Sequence, residues 1–68
     1  MKNDIDIIFG QNVAKLRNER KLSQESLADR CGLHRTYIGI IERGEKSPTL
    51  NTIRKIAAGL DVSLKDLL

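Results

Sequence analysis

At 68 residues, with 12 basic and 9 acidic side chains and a net charge of +3, the chain is long enough for one domain. It is too short to enclose a sizeable active site beside its core, and its mildly basic balance permits nucleic-acid binding without requiring it. The single cysteine, Cys31, excludes an intramolecular disulfide and a cysteine-rich metal site, and fits a reduced, cytoplasmic setting. No apolar run nears the roughly 20 residues of a membrane span. The opening MKNDIDII carries acidic residues where a secretory leader needs positive charge.

The spacing predicts a first helix from about Asp4 to Arg20. Ile5, Phe9, Val13 and Leu16 follow steps of four, four and three and share one stripe. Ser23 supplies an N-cap oxygen for a second helix, Gln24 to Cys31, with Leu27, Ala28 and Cys31 on its inner face. Gly32 stands where a left-handed stop residue belongs, and Leu33 is expected to be buried in the turn. A third helix is expected from near Arg35 to Arg43, stopped by Gly44. At about 100° per residue, Ile38 and Ile41 face the core with Glu42 beside them, and Thr36, Ile40 and Arg43 face outward. Glu45–Pro48 reads as a polar loop. Thr49 caps a fourth helix in which Leu50, Ile53, Ile56, Ala57 and Leu60 keep helical spacing. Val62 lies in a short connection, and Ser63 caps a last turn or two, Leu64–Leu68. No segment alternates with a period of two. The expected fold is all-α: five short helices in one domain, 1–68, with a helix-turn-helix at about 24–43.

The outward side of the third helix suits base edges. Thr36 offers a hydroxyl and a methyl, and Ile40 offers apolar surface one turn on, where thymine presents a methyl group. A stray exposed isoleucine explains Ile40 equally well. Arg35 opens the helix against its dipole, a small cost that makes sense if the guanidinium is aimed at guanine O6 and N7 or at a phosphate. Gly39, in mid-helix, either allows a close backbone approach or marks a tolerant position. Ser23 and Gln24 begin the second helix, where free N–H groups favour a phosphate, though a plain capped helix accounts for both. Glu42 lies near the buried side and requires a partner, for which Arg17 is the candidate. His34 reads as a cap or flanking contact, and Cys31 as a small buried hydrophobe. No catalytic set, phosphate loop or metal-ligand spacing is present, so no enzyme activity, cofactor, metal or small-molecule ligand is expected.

The stretches LRNERKLSQESLADRCGL, YIGIIERG and SPTLNTIRKIAAGLDVSLKDLL together resemble the Cro/C1-type (XRE) helix-turn-helix family, the lambdoid phage repressors and their bacterial relatives, over about Phe9 to Leu67. Within it, LHRTYIGIIERG is most similar to the small controller proteins of restriction-modification systems. The resemblance implies a compact lambda-repressor-like fold in which Arg35, Thr36 and Ile40 face bases. It implies a phosphate contact at Gln24, backbone or flanking contacts at Tyr37, Arg43 and Lys46, and a structural salt bridge between Arg17 and Glu42. Ser23 and His34 join the flanking set. Two departures stand out: Ile40 replaces the polar reader often found there, and Gly39 replaces larger residues.

The resemblance also implies a twofold homodimer joined through about 60–68, with Leu64, Leu67 and Leu68 at the interface. A dimer on two half-sites about one helical turn apart supplies the specificity that one short helix lacks. The expected function is a transcriptional regulator binding double-stranded DNA at a palindromic operator, blocking or recruiting RNA polymerase. A phage-type repressor, an antitoxin and a protein-interaction module that has lost DNA remain open readings. The last is disfavoured because Arg35, Arg43 and Lys46 are all basic.

Overall fold

Capping chemistry sets most of the element boundaries. The computed structural model describes residues 3–68, so the start of the MKNDIDII leader reading lies outside it. Its elements are α1 (Asp4–Glu19), α2 (Gln24–Cys31), α3 (Arg35–Glu42), α4 (Leu50–Leu60) and a terminal 3-10 turn (Leu64–Leu67), with no strand among the described residues. Asn3 Oδ1 accepts the Ile5 N–H, Ser23 Oγ the Ser26 N–H, and Thr49 Oγ1 the Thr52 N–H. Gly32 ends α2 in the left-handed region at φ 70°, and the Leu33 N–H then bonds the Ala28 carbonyl at 2.9 Å. Lys21 (φ 56°) and Asp61 (φ 58°) adopt the same conformation after α1 and α4.

The expected fifth helix is a single 3-10 turn. The Asp66 carboxylate accepts from both the Ser63 N–H at 3.1 Å and its hydroxyl at 3.0 Å. The backbone bonds run three residues back, from Asp66 to Ser63 and from Leu68 to Lys65.

One core joins all the elements: Phe9, Val13, Leu27, Ala28, Cys31, Ile38, Ile41, Ile56, Ala57, Leu60 and Leu67. α2 packs on both α3 and α4, and α1 packs on α3. At the α1–α3 crossing Gly10 lies so close to the Ile41 and Glu42 carbonyls that no Cβ fits between them. The Asn12 amide donates to the Leu67 carbonyl at 2.9 Å and docks the terminal turn on α1.

Four expectations are corrected. Ile5 is 50% exposed, because the loop after α3 occupies the Asp6 and Ile7 side of α1 and leaves Ile5 outside. Leu50, the first residue of α4, is 83% exposed, and the inward register of that helix starts at Ile53. Leu33 is half-buried, packed against the core without joining it. Leu67 is fully buried inside the monomer, so it supports the chain end from beneath and offers no surface to a second subunit.

Candidate nucleic-acid interface

α3 is held by its inner side. Ile38 and Ile41 are 0% and 1% exposed, which sends Arg35, Thr36 and Arg43 to the surface and leaves Ile40 half-buried at its edge. His34 caps the helix, its Nδ1 accepting the Thr36 N–H at 3.1 Å, so that ring nitrogen is committed to the fold. Tyr37 is half-buried and packs against the core, so its ring is anchored rather than free.

Gln24, at the start of α2, meets α3 through two contacts. Its amide nitrogen donates to Glu42 Oε1 at 3.1 Å. On Gly39 a Cβ would stand 3.1 Å from Arg43 Nη1 and 3.5 Å from Gln24 Oε1. It would touch Gln24 at ordinary contact distance and press only on the tip of the exposed Arg43 side chain.

Beneath this surface Arg17 is clasped by Glu42. Arg17 Nε and Nη2 donate to the two carboxylate oxygens at 2.6 and 3.0 Å, and Nη1 donates to the Leu22 carbonyl at 2.8 Å. The side chains are 14% and 8% exposed. The hydrogen bonds that Arg17 donates to Glu42 raise its pKa above the ordinary value against the opposing effect of burial. The pair joins α1 to α3, and the third donor, Gln24, ties α2 to the same carboxylate.

The cations on the surface have partners that the sequence did not point to. Arg35 Nη1 lies 3.5 Å from Glu25 Oε2, and Arg43 Nε lies 3.0 Å from Glu45 Oε2. The Arg43 pKa is raised, chiefly by that hydrogen bond. Lys46 is exposed on the loop after α3. Ser47 pins that loop by donating to Asp6 Oδ2 at 2.6 Å, and the Gly44 backbone (φ 71°) lies against Ile7. Partners 10 and 41 residues apart in sequence carry no local signal of their pairing.

Between α2 and the start of α3 runs an open groove of about 390 Å³ lined by Glu25, Ala28, Asp29, Leu33, His34 and Arg35. Among the described residues no group of His, Cys, Asp and Glu could hold a metal ion, and no helix is long and apolar enough to cross a membrane. Cys31 is buried, and burial pushes its thiol pKa up, away from the reactive thiolate. Arg35 and Thr36 on α3 are exposed, and Gln24, Arg43 and Lys46 are exposed on α2, at the end of α3 and on the loop after it.

A helix-turn-helix family model matches residues 13–67. Control protein C.BamHI of Bacillus amyloliquefaciens is 49% identical over 69 residues, spanning 100% of this chain and 85% of that protein. Control protein C.SmaI of Serratia marcescens is 49% identical over 65 residues, spanning 96% and 77%. Among solved structures, the restriction-modification controller protein C.AhdI from Aeromonas hydrophila superposes with a TM-score of 0.90 at 41% identity, covering 93% of this chain and 96% of that one.

Proposed function

Since the chain belongs to the Cro/C1-type helix-turn-helix family of DNA-binding transcriptional regulators, we propose that it controls the genes of a restriction-modification system as a homodimer on a palindromic operator. One observation carries the reading. Arg35 and Thr36 are exposed and Ile40 half-buried on a helix whose Ile38 and Ile41 are fully buried, in a chain that matches control proteins over nearly its whole length.

α3 enters the major groove. The Arg35 fork bonds guanine O6 and N7, Thr36 offers its hydroxyl or methyl, and Ile40 packs on a thymine methyl. Gln24, Arg43 and Lys46 hold phosphates, while Ser23, His34 and Tyr37 flank the contact and keep their structural bonds. Leu64 and Leu68, 48% and 65% exposed on the terminal turn, form the dimer contact, with Leu67 supporting them from the core. Two recognition helices then face half-sites about 10 base pairs apart. Bound there, the dimer blocks or recruits RNA polymerase.

The test is selection from a random duplex pool at physiological salt, followed by sequencing. Palindromic sites with that half-site spacing support the proposal. Sequence-blind binding that fades with modest salt would reduce the surface to polycation affinity and bring a protein partner forward.

A further inference from the structure

The two arginines of the reading surface are partnered before any DNA arrives. Arg35 faces Glu25 at 3.5 Å and Arg43 faces Glu45 at 3.0 Å, with side chains 64% and 67% exposed in the first pair and 55% and 42% in the second. Pairs this exposed contribute little to folding. Glu25 also stands in the first turn of α2, where the helix dipole welcomes a carboxylate, and it lines the groove that Asp29, His34 and Arg35 complete. Its position beside Arg35 therefore has its main consequence when DNA binds.

A guanidinium carries five N–H donors in one rigid plane, and guanine O6 and N7 use two of them. Donors remain for a carboxylate on the same fork. We infer that Glu25 is a positioning and specificity-determining residue that acts through Arg35, an inference that rests on Arg35 reading a base as proposed above. On a matched site Arg35 bonds guanine and stays paired with Glu25, which fixes the plane of the fork. On a mismatched site its alternative acceptors are phosphate oxygens. Reaching them means leaving Glu25, whose freed carboxylate then faces the phosphate backbone. The carboxylate thus weakens wrong sequences more than right ones, a repulsive element of the kind discrimination uses. Glu45 serves as the internal comparison. Its partner Arg43 caps the C-terminal end of α3, beyond the Arg35, Thr36 and Ile40 row, so its charge opposes every duplex alike.

The experiment uses the full chain and the variants Glu25→Gln, Glu45→Gln, Arg35→Ala and Glu25→Gln with Arg35→Ala. Each is assayed by anisotropy on a labelled random duplex pool and by selection and sequencing from that pool. Glu25→Gln should bind the bulk pool about 2–5-fold more tightly, the scale of an exposed ion pair. It should also flatten preference at the base pair that Arg35→Ala flattens. Glu45→Gln should tighten bulk binding with every preference unchanged. With Arg35 removed, Glu25→Gln should no longer alter any preference. Glu25→Gln leaving all preferences intact while Arg35→Ala changes one would overturn the inference and spare the reading of Arg35. Arg35→Ala leaving all preferences intact would remove that reading and the inference with it.

Discussion

Replacing Glu42 by Ala takes away an acceptor shared by three donors: Arg17 Nε at 2.6 Å, Arg17 Nη2 at 3.0 Å and the Gln24 amide at 3.1 Å. Gln24 is exposed and turns to water. Arg17 has less freedom, because its side chain is only 14% exposed and Nη1 is held by the Leu22 carbonyl. The variant therefore keeps a largely desolvated cation with two unmet donors. Removing one partner of a buried pair costs about 3–5 kcal/mol, and the remaining exposure of Arg17 places this case near the low end, about 3 kcal/mol. A domain of 68 residues holds about 3–10 kcal/mol in all, so about 30% or more of its stability is lost. At about 4–8 °C per kcal/mol the melting temperature should fall by about 12–24 °C, followed by far-UV circular dichroism. The double replacement Arg17→Met with Glu42→Leu removes both charges and should recover most of the loss, leaving the cost of the Leu22 carbonyl without its donor. A fall of less than about 4 °C for Glu42→Ala would show that water solvates Arg17 and would refute the reasoning.

Gln24→Ala should weaken binding to every duplex by one common factor, about 10–150-fold for a hydrogen bond to a charged phosphate oxygen, with the salt dependence unchanged; a loss that varies with sequence contradicts the phosphate role. Gly10→Ala should destabilise by about 3 kcal/mol in urea unfolding, since its Cβ would collide with the Ile41 and Glu42 carbonyls of α3. Gly32→Ala, with open space around it and only φ +70° against it, should cost about 1–2 kcal/mol, and equal costs at the two sites would sink this distinction. The Ser63 N–H and hydroxyl hold the Asp66 carboxyl below its ordinary value of 3.8. A depressed carboxyl stabilises above its unfolded pKa and loses that stabilisation as pH falls through the lower folded value. Ser63→Ala keeps the N–H and loses the hydroxyl, so the Asp66 side-chain NMR titration should move up toward 3.8; an unmoved titration would show that the hydroxyl has no part in it.

Local chemistry was legible in the chain itself. Ser23, Gly32, Thr49 and Ser63 act within a few residues of their own positions, so the starts of α2, α4 and the terminal turn and the stop of α2 follow from residue type. Helical period separated Ile38 and Ile41 from Thr36 and Arg43 without any knowledge of what lies opposite. The left-handed stops at Lys21 and Asp61 had no such signal, because neither is glycine.

What the tertiary structure decided depends on where helices cross. Ile5 and Leu50 have apolar side chains in helical register, yet both are exposed, and periodicity says which side faces inward without saying where the neighbour lies. Leu64, Leu67 and Leu68 look alike in sequence, and only the docking of the terminal turn on Asn12 buries the middle one. The candidate site divides the same way. The outward side of Thr36 and Arg43 follows from the rotation of one helix, whereas Ile40, placed outward by the same rotation, is half-buried. The clasp of Gln24 on Glu42 and the pairing of Arg35 with Glu25 arise where α2 crosses α3. Periodicity is a property of one helix; a contact between two helices depends on their separation and angle, which the packing of the whole core determines.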